Sequence, residues 1–433
     1  MIAENMPIAD GSDISRMENK LFSDQPEKLK ILWANESSVI SGPVNKLMHT
    51  APLLTEAEHE LTILLPDYDE TVHGSLGGAR IIETGYLPIE NFQLSILKPA
   101  LSFKNMLAEG EYDVVHVATP MRGPFGLFFL GGSVIDMSYD QNMPIVAGAQ
   151  SFNRLIARSM IPKLFSPAAP IVDSFVKRQE SRMHGRATIN YSPSIAMDEY
   201  ILQRKKVSKD TLVRLGNGKD PMFNAERRTA SKAIQQRLEW GVEDDELVIL
   251  VPGRLAAEKS LAKLKDIEDV PGIKIVLVGD GPERQNLQQL LPQAVITGML
   301  RGDELADAYS NGDIMVLTSE TESYSQVLFE GLASSLPVVA PNKGAFVQLV
   351  DEGVTGFKYE SAEELRGLVA MLIANPELRA RLGENGRRAT EDLNWEDETK
   401  RLIRIYRMAI YLNKHPSTSA RLARTAIGAL GLY

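Results

Sequence analysis

Two glutamates and a short run of backbone amides are the groups in this chain whose spacing most clearly indicates chemistry. Glu322 and Glu330 are eight positions apart, and Ser325, Gln326 and Val327 lie between them at the start of a helical pattern. The first N–H groups of a helix have no intrahelical partner and carry a partial positive charge, so they suit a phosphate group. A carboxylate would repel a phosphate and is better placed to accept hydrogen bonds from sugar hydroxyls. The local chemistry therefore predicts a phosphorylated sugar held between two acids.

The surrounding residues have the pattern of a strand, a loop, a helix and a second strand. Apolar runs at 314–317 and 336–340 predict buried strands, and 326–334 has the periodicity of a helix with one apolar face. In such units ligands bind at the carboxyl ends of the strands, beside the N-terminus of the helix. The alternative is a surface helix with two solvated glutamates, because glutamate pairs at this spacing are common.

The motif Glu322-x7-Glu330, with SETES before the helix and LPVVA after it, resembles the retaining glycosyltransferases of family 4. The resemblance implies an α/β chain with the GT-B fold, in which two Rossmann-like domains face a central cleft. It implies transfer of a sugar from a nucleotide-diphosphate-sugar to an acceptor hydroxyl, with Glu322 at the donor sugar and Glu330 on the nucleotide ribose. It also implies that the backbone near Met299 contacts the nucleotide base. Ser325 stands beside the donor sugar, where relatives have a glycine.

A second motif of the same family follows an apolar run at 247–253. The sequence GRLAAEKS, which contains Arg254 and Lys259, is close to the family pattern G-R-x-x-x-E-K-[GS]. Arginine can donate two parallel hydrogen bonds to phosphate oxygens, and lysine supplies a compact positive charge. In relatives these two side chains hold the donor diphosphate, so we expect no metal ion and no other cofactor. The alternative is a basic pair at a helix start, which the preceding strand pattern disfavours.

The N-terminal half contains weaker candidates. Gly42 follows a predicted strand at 28–35, where relatives have a glycine pair that approaches donor and acceptor; a plain tight turn is the alternative. His116 lies in an apolar strand, where a satisfied core histidine is favoured over a catalytic imidazole. Relatives have a histidine just after the strand that corresponds to 144–150, and Gln150 occupies that place here. Gln150 and His116 are therefore the candidates for the acceptor side.

Length and composition indicate a globular protein of two domains. The chain has 433 residues, of which 44% are hydrophobic and 24% are charged, and this is too long for one ordinary core. The net charge of −10 gives no support for binding to nucleic acid. The chain has no cysteine, which excludes disulfides and thiol nucleophiles and fits a cytoplasmic location. The first residues lack the apolar segment of a signal peptide.

The motifs divide the chain into five parts. We predict a loose leader at 1–27, a Rossmann-like acceptor domain at 28–224, a Rossmann-like nucleotide-sugar donor domain at 225–395, a helix that crosses back at 396–412, and a flexible tail at 413–433. The segment Gly216-Asn217-Gly218 is flexible enough to serve as the hinge between the domains.

A basic segment at 151–206 stands out in this acidic chain. It contains ten lysines and arginines against four acids, a net charge of +6, with apolar residues interleaved. Such a segment can dock on an anionic membrane surface, at the inner face of the membrane. The alternative is a solvated helix face over a core. The chain is similar to glycolipid-forming members of the family, so a glycolipid acceptor is one expectation and a soluble sugar acceptor is the other.

The segment 342–348 departs from the family. Its sequence NKGAFVQ lacks the second glycine, the proline and the acid of the pattern G-G-x-P-[ED]. Together with Ser325 and the absent histidine, this departure motivates a different hypothesis, a non-catalytic nucleotide-sugar-binding protein on the same fold. The intact pairs Arg254–Lys259 and Glu322–Glu330 argue against that hypothesis.

Overall fold

A computed structural model describes most of the chain. The described residues are 18–19, 21–35, 42–70, 74–84, 86–89, 92–95, 107, 112–118, 130–150, 169–203, 207–418 and 420–432. The chain divides into two compact units, of which the first contains residues 1–217 and 395–433 and the second contains residues 218–394. Each unit has its own parallel sheet with helices, so the predicted pair of Rossmann-like domains is confirmed.

The first unit is built on a seven-stranded sheet and a separate antiparallel pair. Its strands are β1 Lys30–Ala34, β2 Glu60–Leu65, β3 Arg80–Glu83, β4 Tyr86–Ile89, β5 Phe92–Ser95, β6 Val114–Val117, β7 Ile145–Gly148, β8 Ile189–Ser192 and β9 Leu212–Arg214. The seven strands lie in the order β3-β2-β1-β6-β7-β8-β9, and within the described part of the chain β4 and β5 form a separate two-stranded sheet.

Alternation of side chains along β1 explains why this sheet is covered on both faces. Ile31 and Trp33 belong to one hydrophobic cluster, whereas Leu32 and Ala34 belong to another on the opposite face. The described helices of the unit are Gly42–Glu56, Leu130–Asp140, Ala169–His184, Ile195–Leu202, Trp395–Lys414 and Ala420–Ala429.

The second unit contains the strands that position the candidate site. They are β10 Leu247–Pro252, β11 Ile273–Val278, β12 Val295–Ile296, β13 Ile314–Val316, β14 Val338–Pro341 and β15 Gly356–Tyr359. Their order is β12-β11-β10-β13-β14-β15, so the direction of winding reverses between β10 and β13. In doubly wound sheets ligands bind outside the carboxyl ends of the strands at such a reversal. The helices are Ala230–Glu239, Arg284–Leu290, Gly302–Ser310, Gln326–Ala333, Phe346–Leu349, Ala362–Ala374 and Pro376–Ala389.

The observed boundaries differ from the predicted ones. The division falls between Asn217 and Gly218, inside the predicted hinge, and not at 224. The leader is not entirely loose, because Phe22 is buried in the core of the first unit; residues 1–17 lie outside the described part. The helix predicted at 396–412 extends over Trp395–Lys414 and belongs to the first unit.

The tail predicted to be flexible is instead a packed element. Residues 420–429 form a helix, and Ile427, Leu430 and Leu432 are fully buried in the core of the first unit. The carbonyl of Leu432 accepts a hydrogen bond from the amide of Arg214 at 2.9 Å, at the edge strand β9. The apolar residues of this segment recur at helical spacing, so an amphipathic helix could have been predicted here from the sequence. No described helix is both long and apolar enough to cross a membrane.

Candidate functional site

Two loops contact each other at the carboxyl ends of the adjacent strands β10 and β13. Thr318 donates a hydrogen bond to the carbonyl of Lys259 at 2.7 Å, and Ser319 donates one to the carbonyl of Glu258 at 3.4 Å. The Nζ atom of Lys259 lies 2.6 Å from Oε1 of Glu322, and these side chains are only 29% and 17% exposed. The fold thus places Lys259, from the motif GRLAAEKS, in contact with Glu322, the first glutamate of the other motif.

Arg254 lies in the same loop as Lys259 and has a different partner. Its guanidinium is 3.7 Å from the carboxylate of Glu258, and the arginine side chain is 48% exposed. The side chain is therefore accessible from solvent, and its ion pair is of the weak, exposed kind that a stronger anion can replace. Arg254 and Lys259 together supply two cations at the end of β10.

The turn after β11 supports the backbone that carries Arg254. The amide of Leu255 donates to the carbonyl of Asp280, and the amide of Glu283 donates to the carbonyl of Leu255, both at 2.9 Å. These two bonds fix the peptide that follows the arginine.

Two glycines of this turn allow its close approach to the loop. A Cβ atom on Gly279 would lie 2.0 Å from the carbonyl oxygen of Gly253, and one on Gly281 would lie 2.4 Å from that of Leu255. Gly279 also has φ +152°, a conformation that side chains rarely adopt. Glycine is therefore required here by contacts with a different loop, which no local pattern could show.

The helix Gln326–Ala333 begins at the end of the loop that contains Glu322. Ser325 precedes it with φ +66° and ψ +80°, a left-handed conformation that glycine adopts at lower cost. Glycine, which the family resemblance implies at this position, would adopt the conformation without this cost. The side-chain amide of Gln326 donates to the carbonyl of Gly218 at 3.0 Å, and Val327 packs against the core of the second unit.

Glu330 lies further along the same helix and has an unusual environment. The hydroxyl of Tyr309 donates a hydrogen bond to its carboxylate at 2.7 Å. Burial raises the pKa of Glu330 to about 7, and the nearby charge of Asp220 adds to this rise, while the bond from Tyr309 opposes it. Near pH 7 the carboxyl group therefore changes its charge readily. Neither Tyr309 nor Asp220 was identified from the sequence, because both are brought to Glu330 only by the fold.

The two acceptor-side candidates lie inside the first unit. His116 is fully buried, with Nδ1 2.7 Å from the hydroxyl of Tyr406 and Nε2 2.9 Å from that of Tyr191. Gln150 is 8% exposed and donates to the same Tyr191 hydroxyl at 2.7 Å. Desolvation holds the pKa of His116 well below its usual value, so the ring is neutral. His116 and Gln150 thus belong to one hydrogen-bonded network in the core of the first unit, whereas the prediction placed them at the site of the acceptor.

Lys46 is a buried cation that the sequence analysis missed. Its side chain is 2% exposed and its ammonium group donates to the carbonyl of Gly216, the first residue of the predicted hinge. Burial lowers the pKa of Lys46 to about 8, against the opposing charge of Glu398. A lysine in a helical pattern carries no local sign of burial, which explains why it was overlooked.

Two further predictions concern positions at the surface. Gly42 is the first residue of its helix, and a Cβ atom there would meet no atom of the described residues within 4 Å. The loop 36–41 lies outside the described residues. The side chain of Met299 is 61% exposed, which fits a contact made through its backbone. Among the described residues, no three His, Asp or Glu side chains are grouped as metal ligands.

The described part of the basic segment is only partly available for docking. Residues 151–168 and 204–206 lie outside it. Asp136 forms ion pairs with Arg182, at 3.2 Å, and with Arg186. Lys177 and Arg178 are exposed on the helix Ala169–His184. Two of the basic residues therefore have an acidic partner within the fold, and two face solvent.

Comparisons with known proteins cover both units. The family model described as "Glycosyl transferases group 1" matches residues 233–389, and "Glycosyltransferase Family 4" matches residues 40–222. A sulfoquinovosyl transferase of Arabidopsis thaliana is 29% identical over 377 residues, which are 84% of this chain and 70% of that protein. A GDP-mannose-dependent alpha-mannosyltransferase of Corynebacterium glutamicum is 25% identical over 404 residues, which are 90% and 91% of the two chains. An alpha-monoglucosyldiacylglycerol synthase of Acholeplasma laidlawii is 22% identical, covering 85% and 94%.

Solved structures show the same architecture. A glycosyltransferase from Rickettsia africae matches with a TM-score of 0.68 at 17% identity, covering 89% of this chain and 99% of that one. The Anabaena protein HepE in complex with UDP-glucose matches with a TM-score of 0.66 at 18% identity, covering 87% and 98%. At these identities the match establishes the fold, which is GT-B.

Proposed function

The chain belongs to the family-4 glycosyltransferases of the GT-B fold, and from that membership we propose that it transfers a hexosyl group from a nucleotide-diphosphate-sugar with retention of anomeric configuration. The observation that carries the proposal is the ion pair between Lys259 and Glu322, at the carboxyl ends of β10 and β13. It joins a phosphate-binding cation to a carboxylate suited to sugar hydroxyls. The acceptor is a hydroxyl group.

The charges of the site support a specific division of roles. Arg254 and Lys259 take the two phosphates of the donor, and Lys259 exchanges its present partner, Glu322, for phosphate oxygens. The released carboxylate of Glu322 then accepts hydrogen bonds from the donor sugar, while Glu330 accepts them from the ribose. The largest contribution to catalysis is stabilisation of the leaving diphosphate by the two cations. Because these cations balance its charge, the proposed reaction uses no metal ion.

Retention is proposed to follow from attack on the same face of the sugar as the leaving group. In that geometry a phosphate oxygen of the departing diphosphate takes the proton from the acceptor hydroxyl. The arrangement needs no separate protein base, which agrees with the position of His116 inside the core, where both ring nitrogens contact tyrosine hydroxyls. Exclusion of water protects the donor from hydrolysis.

A thermal-shift screen tests the donor site. We expect one class among UDP-, GDP- and ADP-sugars to raise the melting temperature of the wild-type protein by mass action. The shift should be lost in Arg254→Ala and kept in Arg388→Ala. Arg388 also pairs with a glutamate four residues away, but it lies on the helix Pro376–Ala389 and not in the loop after β10. If Arg254→Ala kept the rise in melting temperature, the donor diphosphate would not bind at Arg254.

Release of the nucleoside diphosphate separates the enzyme from a binding protein. With the donor that gives a thermal shift, we expect slow release without acceptor and faster release with a suitable acceptor. Binding without any release would instead favour the non-catalytic alternative, which Ser325 and the altered segment 342–348 motivate.

A lipid acceptor is proposed on two grounds. One relative is named as a synthase of a glucosyldiacylglycerol, and Lys177 and Arg178 are exposed in the basic segment. In this proposal the enzyme works in the cytoplasm, peripherally at the inner face of the membrane. Sedimentation with anionic liposomes at low salt checks it; no binding there would leave the soluble sugar acceptor as the better alternative.

The raised pKa of Glu330 predicts that donor binding depends on pH. Below about pH 7 the half-buried carboxyl of Glu330 is mostly protonated, and only its ionised form accepts strong hydrogen bonds from both ribose hydroxyls. We therefore expect the affinity for the nucleotide-sugar to be roughly tenfold weaker at pH 6 than at pH 8. Calorimetry in two buffers of different ionisation enthalpy should also show proton release on binding near pH 7.

The raised pKa of Glu330 has the opposite effect on stability: the free energy of unfolding falls as the pH rises, whereas donor affinity increases. Because the pKa in the fold lies above the ordinary 4.5, the stability contributed by protonated Glu330 is complete below that value and is lost as the pH rises through about 7. Glu330→Gln is the control, since it should abolish both pH dependences. An equal pH dependence in that variant would assign the titration to another group.

A further inference from the structure

The loop that carries Glu322 contains another glutamate, whose carboxylate is shared by two lysines. Oε1 of Glu320 lies 2.5 Å from Nζ of Lys263 and 3.0 Å from Nζ of Lys343. Glu320 and Lys263 are each about one-third exposed, and Lys343 is half-exposed. The two lysines hold the pKa of Glu320 below its usual value, so the carboxylate is charged.

The three charged residues come from three different loops at the carboxyl ends of neighbouring strands. Lys263 belongs to the 3-10 helix Leu261–Asp266 in the connection after β10. Glu320 follows β13 and Lys343 follows β14. The carboxylate of Glu320 therefore contacts lysines from connections on both sides of the point at which the sheet reverses its winding, between β10 and β13.

Backbone contacts connect this ion-pair cluster to Glu322. The amide of Ala345, two residues after Lys343, donates to the carbonyl of Glu322 at 2.9 Å. Between them, Gly344 has φ +59° and packs so closely that an added Cβ atom would lie 3.0 Å from the same carbonyl. The two residues directly after Lys343 therefore contact the peptide of Glu322.

A second set of contacts holds the start of the same loop. The ammonium group of Lys263 lies 5.8 Å from the centre of the Tyr359 ring, which is a cation–π contact. The hydroxyl of Tyr359 donates to the carbonyl of Leu317 at 3.2 Å. Lys263 thus contacts both Glu320 and the ring that anchors the first residue of the loop.

We propose that Glu320, through Lys263 and Lys343, is a positioning residue that holds Glu322 and its loop in the geometry needed to bind the donor sugar. Glu320 itself touches no substrate. The inference rests on the proposed function, since it assigns the donor sugar to Glu322.

Glu320→Gln tests the inference because it keeps the shape of the side chain and removes its charge. Glu384→Gln is the matched control: that carboxylate lies in the same unit and is also shared by two cations, Arg387 and Arg388, at 2.9 and 2.8 Å. We expect the Ala345 amide to exchange with deuterium roughly tenfold faster in Glu320→Gln and at the wild-type rate in the control.

Kinetics distinguish a positioning role from general destabilisation. With the donor that the wild type selects, we expect kcat to fall roughly tenfold in Glu320→Gln, because a small displacement of a sugar-binding group slows reaction strongly. Affinity for UDP or GDP without the sugar should stay as in the wild type. Lys343→Arg should retain kcat, since it keeps the charge, whereas Lys343→Met should reproduce the loss.

The outcomes separate this inference from the proposed function. Wild-type rates of exchange and transfer in Glu320→Gln would overturn the inference and leave the glycosyltransferase activity intact. Faster exchange at Ala345 in a protein that binds none of the nucleotide-sugars would overturn the proposed function and, with it, the assigned role in sugar binding. Equal loss of kcat in Glu384→Gln would show that the effect is one of stability, and the inference would fall.

Discussion

Lys259→Met is expected to lower the rate of sugar transfer by about 10²- to 10³-fold, the range seen when one preorganised donor to a developing negative charge is removed. The ammonium group of Lys259 lies in a site that is only 29% exposed, where a charge acts more strongly than in water. Methionine keeps the length and most of the packing of the side chain. The measurement is kcat with a saturating concentration of the donor identified by thermal shift.

Lys265→Met is the matched control for this prediction. Lys265 lies on the neighbouring 3-10 helix, is 53% exposed and pairs with Glu268 three residues away. Its replacement should leave kcat at the wild-type value. A loss of less than tenfold in Lys259→Met would mean that Lys259 does not contact the leaving diphosphate, and the role would pass to Arg254.

A second large effect is expected from Gly279→Ala. The added methyl group would lie 2.0 Å from the carbonyl oxygen of Gly253, so the backbone before Arg254 must move. We expect the free energy of unfolding of the second unit to fall by about 2–4 kcal/mol, because overpacking adds to an unfavourable backbone conformation. Urea unfolding measures this loss. Donor affinity in the surviving folded protein should also fall, since Arg254 is displaced.

Gly241→Ala separates the collision from the backbone conformation. Gly241 has φ +60°, but an added Cβ atom there meets nothing within 4 Å. Alanine at this position should therefore cost only about 1–2 kcal/mol, the penalty of a left-handed conformation, and should not change donor affinity. Similar effects of the two substitutions would show that the contact between Gly279 and Gly253 is relaxed without consequence.

The sequence by itself determined the fold class, the family and the local units that carry the site. Runs such as 247–253 and 314–317 predict strands because their apolar residues are contiguous, and the structure has β10 and β13 there. The segment Gly216-Asn217-Gly218, predicted as a hinge from its two glycines, contains the point at which the two units divide; its role as a hinge stays a prediction. These features depend on residues close together in the chain, so local periodicity and turn chemistry are sufficient to reveal them.

Only the tertiary structure decided which of these groups meet. Lys259 reaches Glu322 because β10 and β13 are neighbours in the sheet, although they are far apart in the sequence. Tyr309 reaches Glu330 because the fold brings together the helices Gly302–Ser310 and Gln326–Ala333, on which these two residues lie. Each contact depends on strand order and packing between distant segments. The chain therefore specified its chemistry locally, whereas the partners and protonation of the charged groups followed from the fold.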